Sequence, residues 1–322
     1  MVLTLEDKWV WDSWYVRDKD LWHCFFLQAD KAIGDPEQRH WNVSYGHATS
    51  RDLRAWTHQG TCFGPSEGQA WDDYTTWTGS VVRGDDATWH LFYTGTSKES
   101  GGKHQKLGHA VSDDLHNWQR VGTGLILDRD DRYEEFLPGR WHDRAFRDPW
   151  VMRDPDGGWL MFFTARNALV GAQMEAGAIG CATSDDLYSW TLQDPVFTGG
   201  FGELEVPQVF EWGGQWYCLF CTAGRFWSDE ATLTIGGPPR TGTHYLIGDT
   251  PRGPWRIAPG PMLDGQAPGQ RYAARIVEEG GQRQLLGFLT SDPETGEYPG
   301  IIADPEIVER MPDGRLMLAA VN

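Results

Sequence analysis

Three carboxylates stand in strand-like stretches that are otherwise apolar. Asp12 lies in VWDSWYV, Asp148 in FRDPWVM and Glu205 in ELEVPQVF. A buried charge is costly unless it is paired or put to use. Like charges held close raise one another's pKa, so one carboxyl group can keep a proton to donate while another stays ionised. Two carboxylates divided in this way, one a nucleophile or base and one an acid, are what hydrolysis of a glycosidic bond requires.

The neighbours of these acids suit a sugar. Arg147 precedes Asp148, where a guanidinium can hydrogen-bond hydroxyls and hold a carboxylate ionised. Glu203 alternates with Glu205, so both side chains point to one face of an ideal strand. Aromatic faces, against which the C–H surface of a sugar packs, are offered by Trp11, Trp77 and Tyr272. The composition of these stretches predicts a carbohydrate pocket.

A repeated pattern of strand, tight turn and strand contains these residues. Aromatic-rich segments recur at intervals of roughly 65 residues: LWHCFFLQ (21–28), TWHLFYTG (88–95), GWLMFFTA (158–165), QWYCLFCTA (215–223) and RQLLGFLT (283–290). Each follows a turn signal and an earlier strand, which is typical of a β-hairpin. The motifs GHATSRDLRAW, GHAVSDDLHNW and GCATSDDLYSW follow the first three hairpins and add a third strand and the start of a fourth.

These units predict an all-β fold, a single five-bladed β-propeller with four antiparallel strands per blade and no C-terminal β-sandwich. Residues 300–321 would complete the fifth blade. Because no linker or shift of composition divides the chain, we predict one catalytic domain over residues 1–322. A β-sandwich with irregular repeats is the competing interpretation.

The first strand of each propeller blade lines the central channel, so its residues face one shared cavity. Asp12, Asp148 and Glu205 lie at similar distances before the aromatic segment of their own blades. We therefore expect all three carboxylates at one level of the channel. Thr78 and Ala273 occupy the matching positions of the other two blades.

Charge and composition limit the partners. The chain has 28 basic and 46 acidic residues and a net charge of −18, which disfavours nucleic acid and anionic membranes. The start MVLTLEDKW has no basic segment followed by an apolar one, so we predict no signal peptide and a cytoplasmic, reduced protein. Cys218 and Cys221 form CLFC inside an apparent strand, where buried packing is the favoured interpretation. No histidine pattern indicates a metal, so we predict no metal and no cofactor, and a small neutral sugar as partner.

The motifs resemble those of glycoside hydrolase family 68, the levansucrases and bacterial β-fructofuranosidases. They are VWDSW, WTGS (77–80), FRDP (146–149) and ELEVP (203–207). The stretches YGHATSRDLRAW and FYTG, together with RDP, are similar to family 32, the invertases and fructanases. The motifs run in the expected order from residue 10 to about residue 275.

The resemblance implies a retaining mechanism on β-fructofuranosides through a covalent fructosyl-enzyme. Asp12 would be the nucleophile and Glu205 the acid and base, while Asp148 would bind hydroxyls and stabilise the transition state. Positions that line the donor site in such enzymes match Trp11, Gln28, Trp77, Thr78, Arg147, Glu203, Arg225 and Tyr272. Thr78 replaces the serine that is usual in the WSGS motif.

Two other functions remain open from the residues alone. An inverting arabinan- or xylan-type glycosidase uses three acids on the same scaffold, and a non-catalytic sugar-binding propeller needs none of them. The spacing of Asp12 and Glu205 separates retention from inversion, because an inverting enzyme leaves room for a water molecule between its two carboxyl groups. The sequence identifies neither the aglycone nor the oligomeric state.

Overall fold

The computed structural model describes residues 2–265 and 270–319. Within these residues the strands form five antiparallel sheets, each built from a contiguous stretch of chain. Contacts between the innermost strands of successive sheets run from the first sheet to the fifth and back to the first, which closes a ring. The predicted five-bladed β-propeller is therefore confirmed.

The strands follow one another from the centre of the ring outward. Blade one comprises β1 (Lys8–Asp18), β2 (Leu21–Asp30), β3 (Ser44–Ser50) and β4 (Thr57–Phe63). Blade two comprises β5 (Thr75–Arg83), β6 (Trp89–Thr96), β7 (Lys106–Ser112) and β8 (Gln119–Leu127). Blade three comprises β9 (Phe146–Arg153), β10 (Trp159–Arg166), β11 (Gly177–Ser184), β12 (Thr191–Leu192) and β13 (Phe197–Thr198).

Blade four comprises β14 (Glu205–Trp212), β15 (Gln215–Thr222), β16 (Gly242–Gly248) and β17 (Trp255–Ile257). Blade five comprises β18 (Arg271–Glu279), β19 (Gln282–Leu289), β20 (Glu306–Arg310) and β21 (Leu316–Leu318). Residues 320 and 321, at the end of the segment predicted to complete this blade, lie outside the described residues. The α-helix of the described residues is α1 (Asp229–Ile235), and short 3-10 helices cover Lys31–Ile33, Pro36–Trp41, Gln173–Glu175 and Gly224–Phe226.

Blade three differs from the other four blades in its outermost strand. Its outer edge is divided between β12 and β13, which both pair with β11. The intervening segment contains Pro195. Proline has no backbone N–H to donate to a ladder, so a continuous outer strand cannot run through this point unbroken.

Burial explains why the second strand of each blade is so aromatic. β6 and β10 are buried along their whole length, because both faces of a blade pack against neighbouring blades. The outer strand β4 is mostly exposed, since its outer edge meets solvent. Cys218 and Cys221 lie buried in β15 as free thiols, as expected for packing residues.

The repeated Asp-rich motif folds into the same turn in three blades. Asp52, Asp114 and Asp186 each accept hydrogen bonds from the backbone amides two and three residues further along the chain. A short carboxylate that satisfies local amides is a common way to stabilise a turn. These acids are structural, in contrast to the carboxylates of the inner strands.

The ring closes between blades one and five. Leu3 and Ile302 exchange backbone hydrogen bonds of 3.0 and 3.1 Å, and Val10 N donates to Gly300 O at 3.1 Å. The up-and-down order places the start of every inner strand at one end of the ring. The connections between the second and third strands and those between blades lie at this same end, which carries the candidate site.

Among residues 2–265 and 270–319, no helix has both the length and the apolar composition needed to cross a bilayer.

Candidate active site

A central cavity of about 700 Å³ opens at the end of the ring where the inner strands begin. This size is within the usual range of small-molecule pockets. Ten of the eleven residues predicted from the sequence line it: Trp11, Asp12, Trp77, Thr78, Arg147, Asp148, Glu203, Glu205, Arg225 and Tyr272. The structure thus brings together side chains from all five blades.

The prediction for Gln28 is not supported, because this residue is not among those that line the cavity. Gln28 is fully buried between β2, β3 and β4, one layer behind the inner strand. Its amide nitrogen donates to Thr61 Oγ1 at 2.8 Å and to Ser44 Oγ at 3.3 Å. A side chain held by these bonds inside the blade does not reach the cavity.

Every inner strand has a β-bulge at the level of the cavity. Strand pairing is interrupted at Asp12 in blade one and at Thr78 in blade two. It is interrupted after Arg147, Glu205 and Tyr272 in blades three, four and five. A bulge leaves a residue outside the ladder and redirects side chains, which is why bulges are frequent near functional sites.

The bulges of blades three, four and five hold residues in a strained backbone conformation. The φ angles are +59° at Asp148, +53° at Val206 and +48° at Ala273. Left-handed φ at a residue other than glycine costs of order 1–3 kcal/mol and persists where the surroundings impose it. Blades three and four place proline directly after this residue, where the interrupted ladder needs no N–H.

The expectation that the three carboxylates share one register is wrong for Glu205. Asp12 and Asp148 occupy bulges, whereas Glu205 lies one position earlier, level with Arg147 and Tyr272. Similar distances between each acid and the aromatic segment of its blade do not give the same register, because the hairpin turns that lie between them differ in length. Gly213 and Gly214 form a two-residue turn in blade four, whereas five residues separate the paired strands in blade three.

Asp12 lies half-buried on the floor of the cavity. Thr78 of the neighbouring blade donates a hydrogen bond to its Oδ2 atom. Burial raises the pKa of Asp12 above its ordinary value, while the Thr78 hydroxyl and the charges of Arg39 and Arg275 act in the opposite direction. This carboxylate therefore has both a hydroxyl donor and positive charge nearby to support its ionised form.

Asp148 is the most buried of the three acids, with 3% of its surface exposed. Its Oδ2 atom accepts hydrogen bonds from Thr164 Oγ1 at 2.9 Å and from the backbone N–H of Val206 at 3.2 Å. Burial raises the pKa of Asp148 to about 7, because it outweighs the attraction of Arg147 and adds to the repulsion by Glu205 and Asp12. Asp148 is thus fixed in position and costly to ionise.

Glu205 is held from two sides. Arg147 Nη2 donates to its Oε1 atom at 2.8 Å, and the hydroxyl of Tyr272 donates to its Oε2 atom. Burial raises the pKa of Glu205, and the negative charge of Glu203 adds to that rise, while Arg147 and Tyr272 lower it. A carboxyl group with a raised pKa can keep a proton for donation.

Glu203 has the opposite character. Arg147 Nη2 lies 3.0 Å from its Oε2 atom, and its Oε1 atom accepts a hydrogen bond from Trp141 Nε1 at 2.8 Å. His142 Nε2 lies 3.1 Å from the same Oε1 atom. Burial opposes ionisation, but Arg147, His142 and Trp141 together hold the pKa of Glu203 at about 2. One arginine thus joins a carboxylate that stays ionised to one that favours its proton.

The remaining predicted residues shape the walls. Trp11 is buried, and Trp77 is fixed by a hydrogen bond from its Nε1 atom to His40 O at 2.9 Å. Arg225 belongs to the 3-10 helix after β15 and is exposed, with its guanidinium 4.4 Å from the centre of the Phe226 ring. Trp11 and Trp77 thus give the wall aromatic surface, and Arg225 gives it a positive charge.

Sequence reasoning missed two buried arginines. Arg39, on the 3-10 helix Pro36–Trp41, lines the cavity and lies 4.2 Å from the centre of the Tyr298 ring. Arg275 of β18 donates to the carbonyls of Val206 at 3.1 Å and Pro207 at 2.5 Å. Its position between the apolar Ala274 and Ile276 of an inner strand was the available signal, whereas Arg39, on a short 3-10 helix, shows no comparable pattern.

Three groups beside Glu205 have atoms suited to metal binding. The ligand atoms of His142, Asp143 and Glu203 all lie within 4.8 Å of one another. The guanidinium of Arg147 contacts both carboxylates, at 3.0 Å from Glu203 and 3.6 Å from Asp143. Arg147 already supplies positive charge at this position.

The chain matches proteins of known family. The family model described as the glycosyl hydrolases family 32 N-terminal domain covers residues 11–298. The sucrose-6-phosphate hydrolase of Bacillus subtilis is 26% identical over 299 residues, which are 88% of this chain and 55% of that protein. The invertase of Kluyveromyces lactis is 25% identical over 230 residues, which are 63% of this chain and 33% of that protein. The chain thus spans about half or less of the length of these relatives.

Solved structures support the fold. The inulosucrase of Halalkalicoccus jeotgali, solved bound to kestose, superposes with a TM-score of 0.81 at 23% sequence identity. The match covers 98% of this chain and 87% of that one. Since the family model spans most of the chain, the chain belongs to the glycosyl hydrolases family 32 N-terminal domain family.

Proposed function

We propose that this protein is a retaining β-fructofuranosidase that hydrolyses sucrose or a short fructoside, with fructosyl transfer to a sugar acceptor as an accompanying reaction. One observation carries the proposal: a single cavity contains Asp12 beside a hydroxyl donor and Glu205 beside a second, ionised carboxylate. Burial raises the pKa of both acids, but Thr78, Arg39 and Arg275 favour the ionised form of Asp12, whereas the negative charge of Glu203 favours the protonated form of Glu205. The family and the names of the relatives point to the same chemistry.

In the proposed mechanism Asp12 attacks the anomeric carbon of the fructosyl unit. Glu205 donates its proton to the glycosidic oxygen, so the C–O bond breaks and the leaving sugar departs neutral. Glu205, now a carboxylate, takes a proton from water, which attacks the fructosyl–Asp12 ester and frees fructose and Asp12. A sugar hydroxyl in place of water gives transfer. Asp148, fixed by Thr164 and the Val206 amide, would hold the fructosyl hydroxyls during both steps.

The first experiment measures the release of glucose and fructose from sucrose over time. Equal release indicates hydrolysis, and an excess of glucose indicates transfer to another sugar. Lys103 and Arg225 line the cavity and one relative is a sucrose-6-phosphate hydrolase, so the phosphorylated sugar belongs in the same assay. We expect Asp12→Asn to fold normally and to lose nearly all activity, and substantial remaining activity would contradict the assignment of the nucleophile.

The stereochemistry of the product separates the proposal from an inverting glycosidase. Retention gives β-fructofuranose first, and the substrate should leave a transient ester on Asp12 that mass spectrometry detects after a rapid acid quench. Inversion of configuration without an adduct would favour an inverting enzyme. Sugar binding without turnover of any fructoside would favour a non-catalytic propeller.

A further inference from the structure

A second cavity lies beside the candidate active site at the same end of the ring. It measures about 1220 Å³ and is lined by residues 68–71 and Asp73, which precede β5, and by the connection between β6 and β7. Gly102 and Lys103 of that connection line the central cavity, while Ser100 and His104 line the second one. A single short stretch of chain thus forms the wall between the two. We call the second cavity the Trp71 groove.

Trp71 is a rigid, half-buried wall of this groove. Its ring is stacked on Tyr93 with centroids 5.7 Å apart and planes 25° from parallel, and its Nε1 atom donates to Thr123 O at 2.9 Å. Gly95 allows this close packing, since a Cβ atom there would lie 2.4 Å from the indole. An aromatic surface that is already fixed loses little conformational entropy when a ligand packs on it.

The loop that separates the groove from the central cavity is also held in place. The backbone N–H of Lys98 donates to Asp73 Oδ1 at 2.8 Å, and Gly102 N donates to Ser97 O at 3.2 Å. Lys103 Nζ donates to His142 O at 3.0 Å, which ties the loop to the segment before β9. The groove is therefore formed before any ligand arrives.

The groove is polar but balanced in charge. Lys98 and Lys106 line it together with Asp73 and Glu99, although the chain as a whole has a net charge of −18. The exposed amide of Gln69 adds a neutral donor and acceptor. An aromatic face with neutral and balanced polar groups suits the C–H surface and hydroxyls of an uncharged sugar better than it suits an anion.

We propose that the Trp71 groove binds the distal units of a fructo-oligosaccharide whose terminal fructosyl unit occupies the cavity at Asp12. The inference rests on the proposed function and extends it to a substrate class. The chain of the oligosaccharide passes over residues 100–104 and packs on Trp71. The groove thereby adds binding free energy for oligosaccharides that sucrose is too short to use.

The test compares kcat/KM for sucrose and for a fructo-pentasaccharide in the wild-type protein and in Trp71→Ala. We expect the value for the pentasaccharide to fall about five- to tenfold, as the loss of one aromatic contact implies, and the value for sucrose to stay within about twofold. Tyr188→Ala is the matched control, because Tyr188 is an exposed aromatic residue at the opposite end of the ring. It should change neither value.

A second variant guards against loss of packing beneath Trp71. The double variant Gln69→Ala/Lys98→Ala removes lining groups without touching the Trp71–Tyr93 stack, and it should lower kcat/KM for the pentasaccharide selectively by at least about threefold. The groove proposal would be overturned if the double variant changed kcat/KM for sucrose and for the pentasaccharide by the same factor. It would also be overturned if a folded Trp71→Ala protein kept the wild-type kcat/KM for the pentasaccharide. Neither result affects hydrolysis of sucrose by the wild-type protein, which tests the proposed function separately.

Discussion

The hydroxyl of Thr78 in blade two donates a hydrogen bond to Asp12 in blade one. This bond crosses the interface between two sheets and reaches the carboxylate that the proposed mechanism uses for attack. It lowers the pKa of Asp12 against the effect of burial. The ionisation of one blade's acid therefore depends on the side chain of the next blade.

Thr78→Val should shift the acid limb of the kcat/KM profile to higher pH. The Thr78 hydroxyl counteracts the rise in the pKa of Asp12 that burial causes. Without this hydroxyl the pKa of Asp12 rises further, so a smaller fraction of the nucleophile is ionised at a given low pH. We expect a loss of about tenfold on the acid side, the value of one charge-assisted hydrogen bond. Thr78→Ser keeps the hydroxyl donor and should have the wild-type pH profile. If the valine and serine variants show the same acid limb, the hydroxyl of residue 78 does not set the pKa of Asp12.

Two variants should move the alkaline limb in opposite directions. Tyr272→Phe removes a hydrogen bond that lowers the pKa of Glu205, so the limb should shift to higher pH. Glu203→Gln removes a charge that raises the pKa of Glu205, so the limb should shift to lower pH. Profiles of kcat/KM from pH 4 to 10 measure both, and shifts in the same direction would contradict the assignment of Glu205 as the acid.

Asp148→Asn should stabilise the fold at high pH while it impairs activity. Burial raises the pKa of Asp148 to about 7 in the folded state. The stability that protonated Asp148 contributes to the fold is therefore fully present below the pKa of Asp148 in the unfolded chain and is lost as the pH rises through 7. A difference of about three pKa units corresponds to at most about 4 kcal/mol. The Tm of the variant should exceed that of the wild type at pH 8, and the gap should narrow towards pH 4.

Asp185 is exposed, so Asp185→Asn serves as the control for the measurement of Tm against pH. It should leave the difference in Tm between pH 4 and pH 8 unchanged. If the difference in Tm between Asp148→Asn and the wild type stayed constant from pH 4 to pH 8, burial would not raise the pKa of Asp148 in the folded protein.

Gly102→Ala should raise KM for sucrose, whereas Gly101→Ala should not. Both glycines have positive φ, so both alanines cost about 1–2 kcal/mol of stability. Only at Gly102 would the new Cβ collide with Trp41, at 2.4 Å from its ring, and Trp41 lines the central cavity. We expect an increase in KM of about fivefold for Gly102→Ala alone. If both variants raised KM for sucrose by the same factor, the increase would come from backbone strain and not from the collision with Trp41.

The local signals in the sequence predicted the blades well. Strand periodicity and turn residues are set within a few residues of one another, so the hairpins around Trp89 and Trp159 could be recognised one at a time. The acids could be found because a charge inside an apolar strand is conspicuous. Distance along the chain does not determine strand register when hairpin turns differ in length, and for this reason Glu205 lies one position away from the register predicted for it.

Contacts between blades could not be predicted. Arg39 reaches the cavity from a short 3-10 helix. His142, in the segment before blade three, meets Glu203, in the segment before blade four. Such pairs depend on the closure of the ring and on loop conformation, which leave no periodic pattern in the sequence. Gln28 shows the converse, since a match in motif position does not determine which layer of a blade a side chain enters.

The bulges also bear on how such a site changes during evolution. A bulged residue has no backbone partner in the ladder, so replacement of its side chain leaves the backbone hydrogen bonds of the blade in place. Equivalent positions carry a carboxylate in Asp12, a hydroxyl in Thr78 and a methyl group in Ala273. The ring can therefore acquire or lose a reactive group one blade at a time, which lets new substrate preferences arise while the architecture is inherited unaltered.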